Sequence, residues 1–293
     1  MKKKNRIWLW IILGVAVVAV AGNLFIRWWN RDVISIKTAV VGRGVIEEIV
    51  SASGQVDAPV YNLGPKLGGK IVKLNVREGD RVREDMTLAE FDDTTRIVAP
   101  ANGVVARINY EEGETVVPGS PAIVVVNYEK SWAEAQIDEV DIAGVRLGDK
   151  VKITSDVYPD KIYMGEIDWI APVAELRKVG GRIKMDEESY VFPCKVKFLG
   201  AHAELRVNMS VNVDIVTRRK ENALLVPRET LASVDDSSVV FIVKNNRVFQ
   251  GKIDIGLRSY ASVEAVAGVA EGEIIAASNI SKLKNKGRVK IER

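Results

Sequence analysis

GGKIVKLNVREGDRV at residues 68–82 and NGVVARINYEEGETV at residues 102–116 are one pattern written twice, at an offset of 34 residues. Gly69 aligns with Gly103, Leu74 with Ile108, Glu78 with Glu112, Gly79 with Gly113 and Val82 with Val116. Each copy opens on glycine and a short apolar run bounded by turn residues, the signature of a strand. Glu-Gly-Asp or Glu-Gly-Glu then makes a turn. There Gly79 and Gly113 are expected to supply a positive φ that a side chain resists. Val82 and Val116 restart the strand. Pro100, between the copies, lacks an N–H and belongs at a strand start or edge. The reading is one small sandwich folded from a duplicated strand-turn-strand unit.

Over residues 68–127 this repeat resembles the lipoyl/biotinyl domain. In that family a lysine on the hairpin between the halves carries the cofactor. Here the hairpin reads Phe91-Asp92-Asp93-Thr94-Thr95-Arg96-Ile97, and no lysine lies between Lys73 and Lys130. Arginine is no substitute, because the amide linkage needs a primary amine. A domain of this type without a cofactor is therefore expected. Gly69, Gly79, Gly103 and Gly113 are read as its structural turns.

Residues 7–26, IWLWIILGVAVVAVAGNLFI, carry no charge. Twenty helical residues at ~1.5 Å each reach ~30 Å, the thickness of a bilayer's hydrocarbon core. Trp8 and Trp10 at one end and Trp28 and Trp29 at the other are expected as membrane-interface anchors. Lys2, Lys3, Lys4 and Arg6 in the tail of residues 1–6 place the N-terminus in the cytoplasm and the body outside it, in a periplasm or beyond the cell. Ala19-Val20-Ala21 also fits a signal-peptide cleavage site before Gly22. Against cleavage, the apolar run continues to Ile26 and ends in a tryptophan pair. An uncleaved single-pass anchor in the inner membrane is expected.

The 293 residues leave room for an anchor and two or three small domains. The basic tail supplies four of the 42 Lys and Arg; the other 38 stand against 39 Asp and Glu, so the body is nearly neutral. No basic-aromatic platform or zinc-finger spacing points to nucleic acid. The single cysteine, Cys194, shares a strand face with Phe192, Val196 and Phe198 and reads as a small buried hydrophobe. The single histidine, His202, sits in a loop-like stretch and cannot build a multi-histidine metal site. Glu47-Glu48, Asp92-Asp93, Glu187-Glu188 and Asp235-Asp236 are adjacent acids, which point to opposite strand faces rather than forming an acid/base pair. No phosphate-binding loop or nucleophile elbow is present. Nothing proposes an enzyme, a metal or a cofactor.

The remaining chain reads as mainly β. Alternation marks Val151–Thr154, Glu166–Ile170, Val211–Ile215 and Lys252–Ile255. One helix is expected over Glu139–Leu147, with Asp138 as its N-cap and Gly148 closing it. Residues 175–189 read as an exposed hairpin or loop. The expected layout is lead-in strands over 36–55, the lipoyl-like domain over 56–127, a β-barrel domain over 128–217 and a membrane-proximal β domain over 218–293.

This order resembles the membrane fusion proteins, the periplasmic adaptors of efflux pumps and type I secretion systems (HlyD-like). The pieces are GGKIVKLNVREGDRVREDMTLAEFD and IVAPANGVVARINYEEGETVVPGSPA, then SWAEAQIDEVDIAGVRLGDKVKITSDVYPDKIYMGEIDWIAPVA and ELRVNMSVNVDIV. LLVPRETL, VFIVKNNRVFQGKIDIGLRS and VAEGEIIAAS complete it. Where the family has glycine before methionine, this chain has Asn208-Met209, and asparagine tolerates the left-handed turn. Many adaptors insert a long helical hairpin between the lipoyl halves; the residues around Asp92–Ile97 leave no room for one.

The resemblance implies an adaptor that seats on an inner-membrane transporter, packs its lipoyl domains into a ring and helps cargo outward. An ABC-type transporter is favoured, since a hairpin-poor adaptor suits a system that need not span a whole periplasm; an RND-type transporter is the alternative. Two rivals remain. One is a membrane-anchored extracytoplasmic module that captures a ligand in the barrel domain. The other, a biotin or lipoyl carrier subunit, needs the missing lysine. The C-terminal run Ser281–Lys290 carries five positive charges. It reads either as a solvated edge strand guarded by lysines or as a contact with anionic lipid.

Overall fold

The computed structural model describes residues 33–179, 182–183, 189–235 and 237–292. The expected anchor over residues 7–26, with Trp8, Trp10, Trp28 and Trp29, lies outside the described residues, as do Glu187, Glu188 and Asp236. Among the described residues the fold is mainly β, and no helix is long and apolar enough to cross a membrane.

The chain opens with β1 (Ile34–Ile36), β2 (Thr38–Val40) and the 16-residue β3 (Gly42–Asp57). Its contacts divide it into two compact units. One is Ile49–Thr217; the other joins the residues up to Glu48 with Arg218–Arg293.

The first unit begins with the sandwich. Its strands are β4 (Val60–Leu63), β5 (Gly69–Leu74), β6 (Arg81–Val82), β7 (Thr87–Phe91), β8 (Arg96–Val98), β9 (Gly103–Ile108), β10 (Thr115–Val116) and β11 (Ile123–Val126). They form two four-stranded sheets, β10-β5-β7-β8 and β4-β11-β9-β6. The halves exchange strands: Val116 of β10 pairs with Gly69 of β5, and Val82 of β6 pairs with Gly103 of β9. The sequence offset has become a local two-fold relationship. Ile71, Leu88, Phe91, Val105, Ile123 and Val125 fill the space between the sheets, each such side chain contributing about 1.5–3 kcal/mol by leaving water.

Gly79 and Gly113 sit in the two turns with φ of +91° and +94°. Gly69 and Gly103 differ from the expectation, for they open β5 and β9 rather than making turns. At Gly103 a Cβ would meet the Val126 carbonyl oxygen at 2.7 Å, so close packing of backbones demands the glycine. Between the halves, β7 and β8 are joined by Asp92–Thr95 alone. The Phe91 N–H donates to the Thr95 carbonyl at 2.9 Å and Thr94 has φ +68°. Asp93 closes the turn by accepting from the Thr95 hydroxyl at 2.5 Å and its N–H at 3.0 Å, which hold its carboxyl below the usual range.

The barrel follows with β12 (Trp132–Asp138), β13 (Lys150–Ser155), β14 (Tyr158–Ile170), β15 (Glu175–Leu176), β16 (Lys178–Val179), β17 (Arg182–Ile183), β18 (Tyr190–Phe198) and β19 (Ser210–Pro227). The order β13-β14-β18-β12-β3-β19 closes on itself, since Lys150–Thr154 of β13 pair with Val216–Asn212 of β19. Closure removes the exposed edges. Alternate residues such as Ala135, Ile153, Ile167, Cys194, Val196 and Val213 fill the interior. Asn208 takes the left-handed turn at φ +67° and donates its N–H to the Val56 carbonyl at 2.8 Å.

The helix expected over Glu139–Leu147 is reduced to one 3-10 turn, Ile142–Gly144, whose N-cap position is Asp141. Asp138 is engaged elsewhere, paired with Arg177. A nine-residue run holding Val140, Ile142, Val145 and Gly144 has little to offset helix nucleation. In the stretch 175–189, β15 pairs with Tyr190–Val191, and β16 pairs antiparallel with β17.

The second unit contains the end of β19, β20 (Ala232–Val234), β21 (Ser237–Lys244), β22 (Arg247–Lys252), β23 (Asp254–Arg258), β24 (Ser262–Ala267), β25 (Ile274–Ala276) and β26 (Val289–Ile291). A sheet of order β2-β25-β21-β20, with β22 on β21, stands beside the β19-β24-β23 ladder. The alternation expected over Lys252–Ile255 is broken, because Ile253 falls between β22 and β23 and is buried. The C-terminal run is an edge strand only at its end. It holds the 3-10 turn Ile280–Lys282, a turn with Lys286 at φ +65°, and only Val289–Ile291 as strand, paired in parallel with β1.

Candidate functional site

The reactive groups are spent on structure. Cys194 is fully buried in the barrel and burial pushes its thiol up to about 12. The His202 ring stacks on Phe198 with centroids 4.2 Å apart. Its Nε2 lies 3.0 Å from Ser131 Oγ and its Nδ1 2.7 Å from the Gly200 carbonyl, so it pins the loop after β18. Tyr163 and Lys161 both donate to Glu204, at 2.8 Å and 2.6 Å. Burial first, and then Glu204, push the Tyr163 phenol up to about 12. Among the described residues no group of three His, Cys, Asp or Glu is arranged to hold a metal. The position of a carrier lysine is occupied by the Asp92–Thr95 turn.

What the sandwich offers is a surface. β4 and β8 are the outer strands of its two sheets. A cleft of about 650 Å³ runs between them, lined by Asn62–Leu67 and Thr95–Val98. Leu67 is 82% exposed there and Val98 45%. The strands at the other ends of the two sheets, β6 and β10, have two residues each, with exposed Val117 just beyond β10. One flank therefore carries unpaired edges of four and three residues and a cleft, while the edges of the other have two residues each. Unpaired edges and exposed apolar side chains are places for another chain to dock. The apolar Leu67 within Gly64-Pro65-Lys66-Leu67-Gly68 is a signal that sequence reasoning passed over, since a turn needs no leucine.

A second cleft of about 300 Å³ lies on the outer wall of the barrel, where Trp132, Asp168, Lys195, Phe198 and His202 meet. The Lys195 ammonium stands 4.3 Å from the Trp132 ring centroid and 5.6 Å from that of Trp169. The Trp132 indole N–H is buried without an acceptor.

In the second unit Tyr260 stands 96% exposed at the tip between β23 and β24. The tip is tied together: the Ser259 N–H donates to the Ser262 carbonyl at 2.8 Å and the Ser262 N–H to Ser259 Oγ at 3.1 Å. Beneath it, the buried Glu264 carboxylate accepts from the Lys220 ammonium and from the Leu257 N–H at 3.2 Å. Both hold it below the usual carboxylate range, the ammonium most.

Residues 60–128 match the family model described as the RND MFP barrel-sandwich hybrid domain, and residues 132–215 match the YknX-like beta-barrel domain. The chain is 26% identical over 186 residues to the macrolide export protein MacA of Escherichia coli O157:H7, covering 62% of this chain and 48% of that protein. It is 27% identical over 150 residues to the multidrug export protein EmrA of Escherichia coli K12, covering 47% of this chain and 38% of that protein. The chain thus spans half the length or less of these curated relatives. The crystal structure of MacA from Actinobacillus actinomycetemcomitans matches with a TM-score of 0.66 at 20% identity, over 82% of this chain and 99% of that one. At that identity the likeness is one of fold.

Proposed function

Since the chain belongs to the membrane fusion protein family, we propose that it is an adaptor subunit of an export transporter, held in the inner membrane by residues 7–26 with its N-terminus in the cytoplasm. Its work is geometric rather than chemical. The observation that carries this is the sandwich: a carrier domain by architecture, with a closed four-residue turn where the cofactor would sit and one open, apolar flank. The flank formed by β4 and β8 meets the β6 and β10 flank of the next copy. Such a contact is heterologous, and it closes into a ring when the rotation permits. In this reading residues 56–127 build the ring, and the barrel over 128–217 and residues 218–293 with the lead-in strands seat on the transporter.

An ABC-type transporter is the favoured partner. The Asp92–Thr95 turn leaves the sandwich without a long projection, which suits a system that does not reach across a periplasm to an outer-membrane channel. The domain model matched by residues 60–128 carries the name RND, so an RND-type transporter is the alternative. Affinity purification from detergent extract followed by proteomics tests the proposal. Co-purification of an ABC permease supports it, an RND transporter redirects it, and recovery of neither on repeated trials sinks the adaptor reading.

The Trp132–Lys195 cleft favours a second reading, a membrane-anchored module that binds a small ligand. That reading predicts a monomer by native mass spectrometry, where the adaptor predicts higher oligomers.

A further inference from the structure

We infer that the basic C-terminal loop, Lys282 to Lys290, rests on anionic lipid headgroups beside the point where the chain enters the membrane. The inference rests on the reading of residues 7–26 as a bilayer span.

Three observations lead to it. The first is placement. β26 pairs in parallel with β1, with Val289 opposite Ile34 and Lys290 opposite Ser35. The strand that ends the basic run thus lies against the first strand after the anchor. From Ile26 to Val33 the chain takes seven steps, at most ~25 Å at ~3.5 Å each. The loop is tethered to the membrane surface by the chain itself.

The second is order. The loop is not a free tail. Leu283 and Val289 are buried in the core of the unit. The Lys286 N–H donates to the Val248 carbonyl at 2.8 Å, the Val248 N–H to the Gly287 carbonyl at 3.0 Å, and the Val289 N–H to the Asn246 carbonyl at 2.9 Å. Arg247 donates to the Lys286 carbonyl at 3.2 Å. These bonds fix the backbone and leave the ammonium groups on its outside.

The third is charge. Some cations elsewhere in this unit are matched: Arg43 with Glu271, Lys220 with Glu264, Lys244 with Glu273. Lys282, Lys284, Lys286 and Lys290 are exposed and have no carboxylate partner among the described residues. Glu292 is the only acid in the stretch 281–293. Holding four like charges on a short ordered loop is costly in isolation and is relieved by a surface of opposite sign. Lysines act as compact point charges, which suits many loosely placed phosphates, and polybasic segments near a membrane gain from each added cation within a Debye length. An acidic face on a protein partner has the same sign, but only the membrane is brought to the loop by covalent connection.

The test uses the full chain reconstituted into vesicles of phosphatidylcholine alone or mixed with phosphatidylglycerol. Cys194 is buried, so the Lys286→Cys variant takes a fluorophore at one position only. Nitroxide on the lipid headgroups reports proximity. The expected result is severalfold stronger quenching in the phosphatidylglycerol vesicles, lost in high salt and lost in a Lys282→Glu, Lys284→Glu, Lys290→Glu background. Quenching that ignores headgroup charge overturns the inference and leaves an acidic protein face as the occupant. Flotation in high salt separates this from the anchor. Protein that floats with both vesicle types but shows no headgroup dependence keeps the anchor and overturns the lipid contact. Protein that floats only with phosphatidylglycerol in low salt keeps the contact and overturns the anchor; protein that never floats overturns both.

Discussion

The carboxylate of Glu78 accepts the backbone N–H of Ile108 at 2.8 Å. Its counterpart in the repeat does the same in reverse: Glu112 accepts the N–H of Leu74 at 2.8 Å. Each half therefore clips its turn onto the other half's strand. The Gly79 N–H donates to the Val105 carbonyl and the Gly113 N–H to the Ile71 carbonyl, both at 2.8 Å, completing the two-fold arrangement. The repeated glutamate-glycine pair is a device for joining the halves, not a binding motif.

Removing one clip has a defined cost. Glu78→Ala and Glu112→Ala are each expected to lose about 1 kcal/mol, the usual net worth of such a bond. Glu78→Gln keeps an acceptor and loses less. Denaturant unfolding of the three variants measures this. Equal stability of Glu78→Ala and the parent chain sinks the idea that the clips hold the halves.

The glycines separate into two kinds. At Gly79 and Gly113 no atom lies within 4 Å of where a Cβ would stand, so alanine meets only the positive φ. A cost of about 1 kcal/mol follows. At Gly103 the Val126 carbonyl oxygen stands 2.7 Å from the corresponding point, and the backbone of β11 has to move. Gly103→Ala is expected to be the most damaging of the three, by thermal melting. The reverse order places the strain at the turns instead.

Acid weakens the hairpin beneath Tyr260. The Glu264 carboxyl is held below its ordinary value of 4.5, by Lys220 first and then by the Leu257 N–H. A carboxyl lowered by folding adds stability above its unfolded value, and that share disappears as pH falls through the lower folded value. The parent chain is therefore expected to lose stability from about pH 4.5 downward, and Glu264→Gln to be weaker at neutral pH and flatter with acid. Urea midpoints against pH give both slopes; parallel slopes remove Glu264 from the account.

The proposed ring places its contact on the open flank. Leu67→Asp places a charge on a side chain already 82% in water, so the fold is expected to keep its melting temperature. Oligomers seen by native mass spectrometry are expected to fall to monomer. Loss of oligomers together with loss of folding would show only damage, and Val98→Lys on the facing edge is the independent check.

Much of the candidate site was legible and some was not. The turn at Asp92–Thr95 and the buried Cys194 follow from local pattern: a missing lysine and an alternating strand. The helix over Glu139–Leu147 failed because a period of apolar residues too short to nucleate is overruled by strand pairing on both sides. The exposed Leu67 and Tyr260 went unread because a single apolar residue in a turn has no periodicity to mark it.

By itself the sequence determined the duplicated unit, the turn glycines at Gly79 and Gly113, the left-handed Asn208 and the mainly β character. Each is a matter of neighbouring residues and their φ, ψ and alternation, so each is written locally. Only the tertiary structure decided that the halves trade strands, that Gly103 is a close-packing glycine, that β13 closes the barrel on β19, and that one flank of the sandwich stays open. It also decided that Lys290 lies opposite Ser35, which sets the end of the charged run beside the first described strand of the chain. Pairing between residues so far apart depends on which edges the whole fold leaves unpaired, and no local pattern records that.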